Sequence, residues 1–353
     1  MGRPLRPFIL TAAIAVASGA LFEAVGMFLP WLLGPMFTLL LLNQFTKLKF
    51  YWPKALKVAG LVLLGVQIGS SFSREAVFLM WFDLPFMAFL TLSVVAISLI
   101  LGLLFRRMAN ESLATSLLGS MPGGLSQMVV ISEEVESANV TVVTMMQTFR
   151  ILLVVTIVPF LTVFLDRRAA GEIAEQRFSF SPGIFFIALA AGTMIYFVMK
   201  KVGFPAAEVL APILTMALVQ TITGETLIEM PYWLVAMAQI FIGANLGLQM
   251  EQIREKMNFR LGAAIAVNNL LLIAFSTAIA YLLTKWLPGY LFLDFFLSAA
   301  PGGMAEMAIT ALAAGADVAL ITSFHLFRLF FILLVASPIV AVIVKKLDAK
   351  SAN

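Results

Sequence analysis

Long apolar segments separated by short polar loops constrain the fold of this chain more than any other feature. Hydrophobic residues make up 61% of the 353 positions and charged residues 12%, against about a quarter in a soluble domain. In lipid the polar backbone groups must be satisfied within the segment itself, so the pattern predicts an all-α integral membrane protein. Twelve segments are apparent, at about 8–25, 28–43, 53–72, 84–105, 111–132, 138–165, 182–200, 205–222, 231–250, 260–286, 291–314 and 317–345.

The rare residue types exclude several classes of function. Cysteine is absent and histidine occurs once, at His325, so we predict no disulfide, no metal site and no cofactor. No motif of a metalloprotease or a serine hydrolase occurs, and we predict no enzymatic activity. The net charge of +4 does not indicate nucleic acid, because the basic residues lie in short loops. The expected partners are the lipid bilayer and a small-molecule or ion substrate, and the sequence leaves open whether the protein forms a homodimer.

The first six segments correspond to the last six. Gly-Val-Gln-Ile-Gly at 65–69 matches Gly-Ala-Asn-Leu-Gly at 243–247 with an offset of 178, and Met-Pro-Gly-Gly at 121–124 matches Ala-Pro-Gly-Gly at 300–303 with an offset of 179. Such constant offsets indicate an internal duplication. The sequence therefore predicts a first membrane repeat, a connecting loop and a second membrane repeat, at residues 1–168, 169–181 and 182–347.

Loop charges predict that the two copies have opposite orientations. Lys and Arg cluster before the first segment and after the second and fourth in copy one, but after the seventh and ninth segments in copy two. Two inverted copies must each cross the membrane an odd number of times. Since each copy has six segments, one segment per copy should not cross the membrane. We predict about ten transmembrane helices plus two re-entrant segments, 111–132 and 291–314, with both termini cytoplasmic. A broken segment that crosses fully is the alternative, and the three arginines of the 166–177 loop fit this orientation poorly.

The two Pro-Gly-Gly breaks are the first candidate site. Proline lacks an N–H and glycine accepts unusual backbone conformations, so each break frees main-chain groups at membrane depth. The N-terminus of a half-helix at the break could bind an anion, and the freed carbonyls could bind a cation. The alternative is that each break is a simple helix kink or loop without a binding role. The candidate residues are Pro122, Gly123, Gly124, Ser126 and Gln127 in the first copy and Pro301, Gly302, Gly303 and Glu306 in the second.

Two arginines are the second candidate site. Arg150 and Arg328 each lie about 16 Å along a long apolar segment, near the midplane of a hydrocarbon core about 30 Å thick. Arginine at this depth is costly and is usually partnered. One interpretation is a direct part in binding or proton coupling, and the other is a buried pair, such as Arg328 with Glu306 or Asp317, that holds segments together. The same two segments also carry Asn139, Gln147, Asp317 and His325.

Glu306 and His325 distinguish the second copy from the first. Their counterparts, Gln127 and Gln147, cannot titrate. A carboxylate and an imidazole suit proton coupling, because histidine titrates near neutral pH, but a histidine satisfied by interior hydrogen bonds is the alternative.

Four amides are secondary candidates. Gln67 and Asn245 are flanked by glycines, which would equally permit close helix packing. Asn268 and Asn269 form a polar pair with no equivalent in the first copy, and their role is open.

The motifs around the breaks resemble those of the bacterial membrane AbrB-duplication family. The resemblance lies in the segments 120–128 and 298–307 and in the stretch from Ala316 to Arg328, and it extends over nearly the whole chain. Members are labelled as regulators of gene expression or as ammonia monooxygenases. The resemblance implies a multi-pass protein of the bacterial plasma membrane and supplies no catalytic residues. One histidine and no cysteine disfavour a monooxygenase, and the lack of a soluble basic module disfavours direct binding to DNA.

The leading functional prediction is an ion- or proton-coupled secondary transporter of a small solute, with its site at the breaks and the arginine-bearing faces. The alternative is a membrane sensor that affects gene expression indirectly, and a membrane oxidoreductase is the third hypothesis. The sequence does not specify the substrate, the coupling ion or the direction of transport.

Overall fold

The computed structural model describes residues 5–123, 125–165, 182–223, 230–249 and 257–351, so the predicted connecting loop lies outside the described residues. The described part of the chain is α-helical and contains no β-strand, as expected. A π-helical turn, Ile332–Ala336, joins the last two helices. In chain order the helices are α1 (Leu5–Ala24), α2 (Pro30–Phe45), α3 (Lys54–Gly69), α4 (Arg74–Ala109), α5 (Leu113–Ser120), α6 (Leu125–Glu133), α7 (Val140–Leu165), α8 (Pro182–Lys201), α9 (Ala207–Thr223), α10 (Tyr232–Leu248), α11 (Phe259–Trp286), α12 (Phe292–Ala299), α13 (Met304–Ala314), α14 (Val318–Phe331) and α15 (Ser337–Ser351).

Six helical stretches among the described residues are long and apolar enough to cross a membrane. This number is below the predicted ten, because α2 and α3 have 16 residues each and α9 and α10 have 17 each. The six stretches are Leu5–Ala24, Arg74–Ala109, Val140–Leu165, Pro182–Lys201, Phe259–Trp286 and Val318–Val344. They identify a helical protein of membrane character.

The chain divides into two compact units, and each unit combines segments from both halves of the sequence. The first unit contains α1, α2, α3, α8, α9 and α10. Its segments are Met1–Phe82, Thr162–Glu251 and Ala308–Ala319. The second unit contains most of α4, α7 and α14 together with α5, α6, α11, α12 and α15. Its segments are Asp83–Leu161, Gln252–Met307 and Leu320–Asn353.

Glycines set the helix packing of the first unit. A Cβ on Gly65 of α3 would lie 2.7 Å from the carbonyl oxygen of Val209 in α9, and a Cβ on Gly243 of α10 would lie 2.3 Å from that of Leu32 in α2. Backbones that approach this closely leave no room for a side chain. The glycines around Gln67 and Asn245 therefore serve close helix packing, which was one of the two interpretations of these segments.

The second unit contains both helix breaks. α5 and α12 have 8 residues each, and their C-cap residues are Met121 (ψ 128°) and Ala300 (ψ 133°). Each of these residues precedes a proline, which pushes the backbone before it into the extended region and stops the helix. The prolines themselves, Pro122 and Pro301, are buried.

The described glycines of the breaks do not have left-handed backbone. Positive φ angles among the described glycines occur at Gly26, Gly203, Gly289 and Gly315, and not at Gly123, Gly302 or Gly303. Unusual backbone conformation is thus not the reason for glycine at these three positions, and close approach of neighbouring groups is the reason at Gly302.

Candidate functional site

Arg150 of α7 binds the backbone of the first break. Its Nη1 donates to the carbonyl oxygen of Met121 at 2.7 Å, and its Nη2 donates to that of Gly123 at 3.1 Å and to Oε1 of Gln147 at 2.7 Å. Gln147 in turn donates from Nε2 to the carbonyl oxygens of Leu118 and Met121, both at 3.0 Å. The carbonyls that the break removes from the helix ladder are therefore satisfied by one arginine and one amide.

Arg328 of α14 binds the second break in the same manner. Its Nη1 donates to the carbonyl oxygen of Ala300 at 2.7 Å and its Nη2 to that of Gly302 at 2.8 Å. Nη2 also lies 2.6 Å from Nδ1 of His325, whose Nε2 lies 2.9 Å from the carbonyl oxygen of Leu297. A guanidinium only donates, so Nδ1 accepts and the proton of the neutral imidazole is on Nε2.

Gln147 and His325 have the same hydrogen-bonding role. Each donates to a carbonyl in the last turn of a half-helix and accepts from the arginine three residues later. A second proton on His325 would place two donors face to face at Nδ1. The interpretation of His325 as a histidine satisfied by interior hydrogen bonds agrees with this geometry.

Both guanidinium groups are buried without a carboxylate among their hydrogen-bond partners in the described residues. Arg150 is 5% exposed and Arg328 is 6% exposed. Their partners are backbone carbonyls at the C-terminal ends of α5 and α12, where the helix dipole is negative, and the neutral residues Gln147 and His325. The buried pair of Arg328 with Glu306 or Asp317, which was one of the two interpretations, is not among these hydrogen bonds.

The first glycine of each break contacts the long helical segment of the other half of the chain. A Cβ on Gly302 would lie 2.9 Å from Cγ1 of Val154 in α7, and a Cβ on Gly123 would lie 3.2 Å from Cγ2 of Ile332. Val154 and Ile332 are themselves 178 positions apart. The two breaks are therefore packed reciprocally within the second unit.

Helix α11 contacts the ends of both half-helices. Ser120 Oγ, at the end of α5, donates to Oδ1 of Asn268 at 3.3 Å, and Ser276 Oγ donates to the carbonyl oxygen of Ala299 at 3.1 Å. Asn268 thus lies beside the first break, whereas Asn269 donates from Nδ2 to the carbonyl oxygen of Ile265 one turn earlier in its own helix.

The remaining predicted residues lie in several places. Asn139 caps α7, because its Oδ1 accepts from the N–H of Val142 at 3.3 Å, and Asp317 occupies the equivalent position before α14 but belongs to the first unit. Gln67 Oε1 accepts from the N–H of Met230 at 2.8 Å, and Asn245 Nδ2 is buried with no hydrogen-bond partner among the described residues, both in the first unit.

Three predicted positions of the first break are not fully described. Gly124 lies outside the described residues, as do the side chains of Ser126 and Gln127 at the start of α6. In the second break Glu306 is the third residue of α13, and its carboxylate folds back over Gly303.

Sequence reasoning missed two polar features of the second unit. Ser120 and Ser298 are buried at the ends of α5 and α12, and their spacing of 178 was an available signal. Tyr290, in the loop before α12, donates a short hydrogen bond to the buried carboxylate of Asp83 in α4. Burial, followed by this hydrogen bond, raises the pKa of Tyr290 to about 12. No sequence signal links Asp83 to Tyr290.

The described residues include no group of three or more His, Cys, Asp or Glu side chains that could hold a metal ion. The family profile described as "Transition state regulatory protein AbrB" matches residues 6–344. The chain belongs to the AbrB family. It is similar to the Bacillus subtilis (strain 168) protein YhjN, with 27% identity covering 92% of this chain and 90% of that protein. It is also similar to the Escherichia coli (strain K12) protein named "Putative regulator AbrB", with 28% identity covering 90% of this chain and 91% of that protein.

Proposed function

We propose that this AbrB-family protein is an ion- or proton-coupled secondary transporter of a small solute, which binds at the breaks between α5 and α6 and between α12 and α13. The observation that carries the proposal is the pair of buried arginines that bind these breaks. Each is the eleventh residue of its helix, about 16 Å from the helix start and near the middle of a core about 30 Å thick. Charged residues kept at this depth mark substrate or ion pathways.

The repeated hydrogen-bond pattern supports the inverted duplication on which the proposal depends. The two carbonyls bound by Arg150 and the two bound by Arg328 are separated by the same 179 positions. Inverted repeats that meet at discontinuous helices near the midplane are a common plan of secondary transporters.

The proposed topology has about ten crossings and two re-entrant segments. The short helices α2, α3, α9 and α10 would each span about 24–26 Å, which a thin or locally thinned bilayer accommodates. The half-helices α5, α6, α12 and α13 have 8 to 11 residues, or about 12–17 Å, enough to enter and return. Both termini are cytoplasmic in this topology.

Glu306 is the proposed proton carrier if the coupling ion is a proton. Both ring nitrogens of His325 are occupied by hydrogen bonds, in the same way as the amide of Gln147. We therefore assign His325 to positioning Arg328. Glu306 is a carboxylic acid at the break, whereas its counterpart Gln127 has no ionisable group.

Transport is tested with the purified protein in proteoliposomes that contain a pH-sensitive dye. A panel of small organic acids, amino acids and neutral amides is added with and without an imposed proton gradient. The proposal predicts saturable uptake of at least one solute, and Glu306→Gln should remove its dependence on the proton gradient. Gradient-dependent uptake that is unchanged in both Glu306→Gln and Arg328→Ala would exclude the assigned residues.

A membrane sensor is the second candidate function. It is favoured by the name of the Escherichia coli relative, which describes a regulator. A sensor would use the same breaks to bind a ligand without moving it. Saturable binding in detergent, combined with no flux in proteoliposomes for the same ligand, would support the sensor over the transporter.

A further inference from the structure

Two arginines lie in the last turn of α4, directly after its apolar part. Arg106 and Arg107 are both exposed. The residue after the helix, Asn110, has left-handed backbone (φ 58°), and its N–H donates to the carbonyl oxygen of Arg106 at 3.0 Å. The helix therefore stops immediately after the two arginines, which fixes their position beyond the apolar residues.

A third arginine is held against the same helix end. Arg260 is the exposed second residue of α11, and its Nε donates to the carbonyl oxygen of Met108 at 2.6 Å. Both helix ends belong to the second unit. The carbonyl lies in the last turn of α4, where the helix dipole is negative, so the contact is favourable. It joins the end of α4 to the start of α11.

Buried apolar residues support this junction from within the unit. Phe105 of α4 and Leu261 of α11 are the chain neighbours of Arg106 and Arg260, and both are buried. They belong to one apolar cluster together with Met146 of α7. The two helix ends are thus packed against a common core, and the arginines project from a rigid base.

The three positive charges have no carboxylate partner among the described residues. A guanidinium has five N–H donors, and the contact with Met108 uses one donor of Arg260. The acidic residue that follows most closely in the sequence, Glu111, is half-buried in the loop before α5. Like charges around one helical turn repel each other, and a bound anion would remove this repulsion.

An exposed apolar surface adjoins the arginines. Ile100 and Leu103 of α4 are exposed, and Phe259 at the start of α11 is 93% exposed. Leu103 lies three and four residues before Arg106 and Arg107, so these side chains share one face of the helix. A ligand that matches both parts of this surface carries an anionic group next to a hydrocarbon chain.

We propose that an anionic phospholipid binds where the end of α4 meets the start of α11. Its phosphate binds Arg106, Arg107 and Arg260, and an acyl chain lies along Ile100 and Leu103. Guanidinium groups bind phosphate through paired, charge-assisted hydrogen bonds. Basic pockets between transmembrane helices on the cytoplasmic side bind anionic headgroups, and this end of α4 is cytoplasmic in the proposed topology. The inference does not depend on transport.

The bound lipid bridges two helices that lead to the first break. α4 is followed directly by α5, and α11 accepts a hydrogen bond from Ser120 at the end of α5 through Asn268. A ligand that binds the folded protein and not the unfolded chain raises the unfolding temperature. Thermal stability is therefore a direct measure of lipid binding, and it requires no flux.

Thermal unfolding of the full-length protein in an uncharged detergent tests the inference. The probes are phosphatidylglycerol, zwitterionic phosphatidylcholine with the same acyl chains, and glycerol 3-phosphate, at about 0.1 M salt. Phosphatidylglycerol should raise Tm by about 3 °C at saturation, and the other two by less than about 1 °C. No response to phosphatidylglycerol, an equal response to both lipids, or an equal response to glycerol 3-phosphate would overturn the inference.

Paired substitutions locate the site. Arg107→Gln/Arg260→Gln should remove most of the response to phosphatidylglycerol. The matched control Lys200→Gln/Lys201→Gln removes the same charge at the end of α8 and should keep the response. Equal losses in the two pairs would mean a general attraction to basic residues and would contradict the site.

A single substitution keeps the test valid if the double variant does not fold. Arg260→Gln also removes the hydrogen bond to Met108, whereas the side chain of Arg107 makes no hydrogen bond within the described part of the chain. Arg107→Gln should therefore keep the Tm of the lipid-free protein and reduce the response to phosphatidylglycerol by at least about half. A full response in Arg107→Gln would contradict the proposed position of the phosphate.

Discussion

The two helix breaks use the same arginine contacts with different neighbours. At the first break Arg150 is positioned by Gln147, and at the second Arg328 is positioned by His325, yet both arginines bind two carbonyls of the broken backbone. The comparison shows that the imidazole of His325 occupies the hydrogen-bonding position that an amide occupies in the first copy. Its imidazole provides one donor and one acceptor on opposite sides, as the amide of glutamine does.

The largest expected effect comes from removing an arginine. In Arg150→Gln or Arg328→Gln, two carbonyls of the break lose a charged donor, and each unsatisfied group costs about 1–3 kcal/mol. Thermal unfolding in detergent should show a clearly lower Tm for both variants, and flux should be lost. If only one variant is affected, the two breaks are not equivalent.

The next largest loss of stability is expected when alanine replaces the first glycine of each break. A Cβ at position 302 would lie 2.8 Å from Cε of Met307 and 2.9 Å from Cγ1 of Val154, whereas the closest contact at position 123 would be 3.0 Å. Gly302→Ala should therefore destabilise by about 2 kcal/mol and Gly123→Ala by about 1 kcal/mol. Adding Val154→Ala should recover part of the loss in Gly302→Ala but not in Gly123→Ala, and equal recovery in both would contradict the reciprocal packing.

His325→Gln tests the equivalence of the two positioning residues. Because glutamine makes the same bonds at position 147, the substitution should change stability by less than about 1 kcal/mol, and the pH dependence of flux should be unchanged. His325→Leu keeps the bulk but removes the acceptor for Arg328, so it should lower Tm well below the value of His325→Gln. Loss of the pH dependence in His325→Gln would instead make His325 a proton carrier.

The smallest expected change in stability is the difference between the two serines at the ends of the half-helices. Ser120 Oγ donates to Asn268, whereas Ser298 Oγ is buried and has no hydrogen-bond partner in the part of the chain that the structure describes. Ser120→Ala should cost about 0.5 kcal/mol, and Ser298→Ala should be neutral or slightly stabilising. A clear loss of flux in Ser298→Ala without a change in Tm would indicate that the hydroxyl acts in binding.

The sequence predicted the class of fold and the position of the breaks, because both depend on local chemistry. The broken segments 111–132 and 291–314 are found as α5 with α6 and α12 with α13, and proline stops each helix where it was expected to. Helix α4 begins at Arg74, ten positions before the predicted segment, because Asp83 interrupts the apolar run and the predicted segment was started after it.

The partners of the arginines could not be predicted from the sequence. A side chain that binds backbone carbonyls leaves no pattern of complementary residues, so acidic partners such as Glu306 were the natural expectation for Arg328. The role of His325 was hidden for the same reason, since its contacts are the carbonyl of Leu297 and the following arginine. Contacts between elements far apart in sequence, such as Asp83 with Tyr290, require the folded structure.

Uptake by proteoliposomes is the most direct test of a solute site at the two breaks. The solute should be the member of the panel of organic acids, amino acids and neutral amides with the greatest saturable uptake, supplied with and without an ion gradient and compared between the wild type and Glu306→Gln. We expect saturable, gradient-dependent accumulation by the wild type and none by the variant. Saturable binding of the same solute with no net uptake by the wild type would contradict transport, and undiminished gradient-dependent uptake by Glu306→Gln would contradict the position of the site.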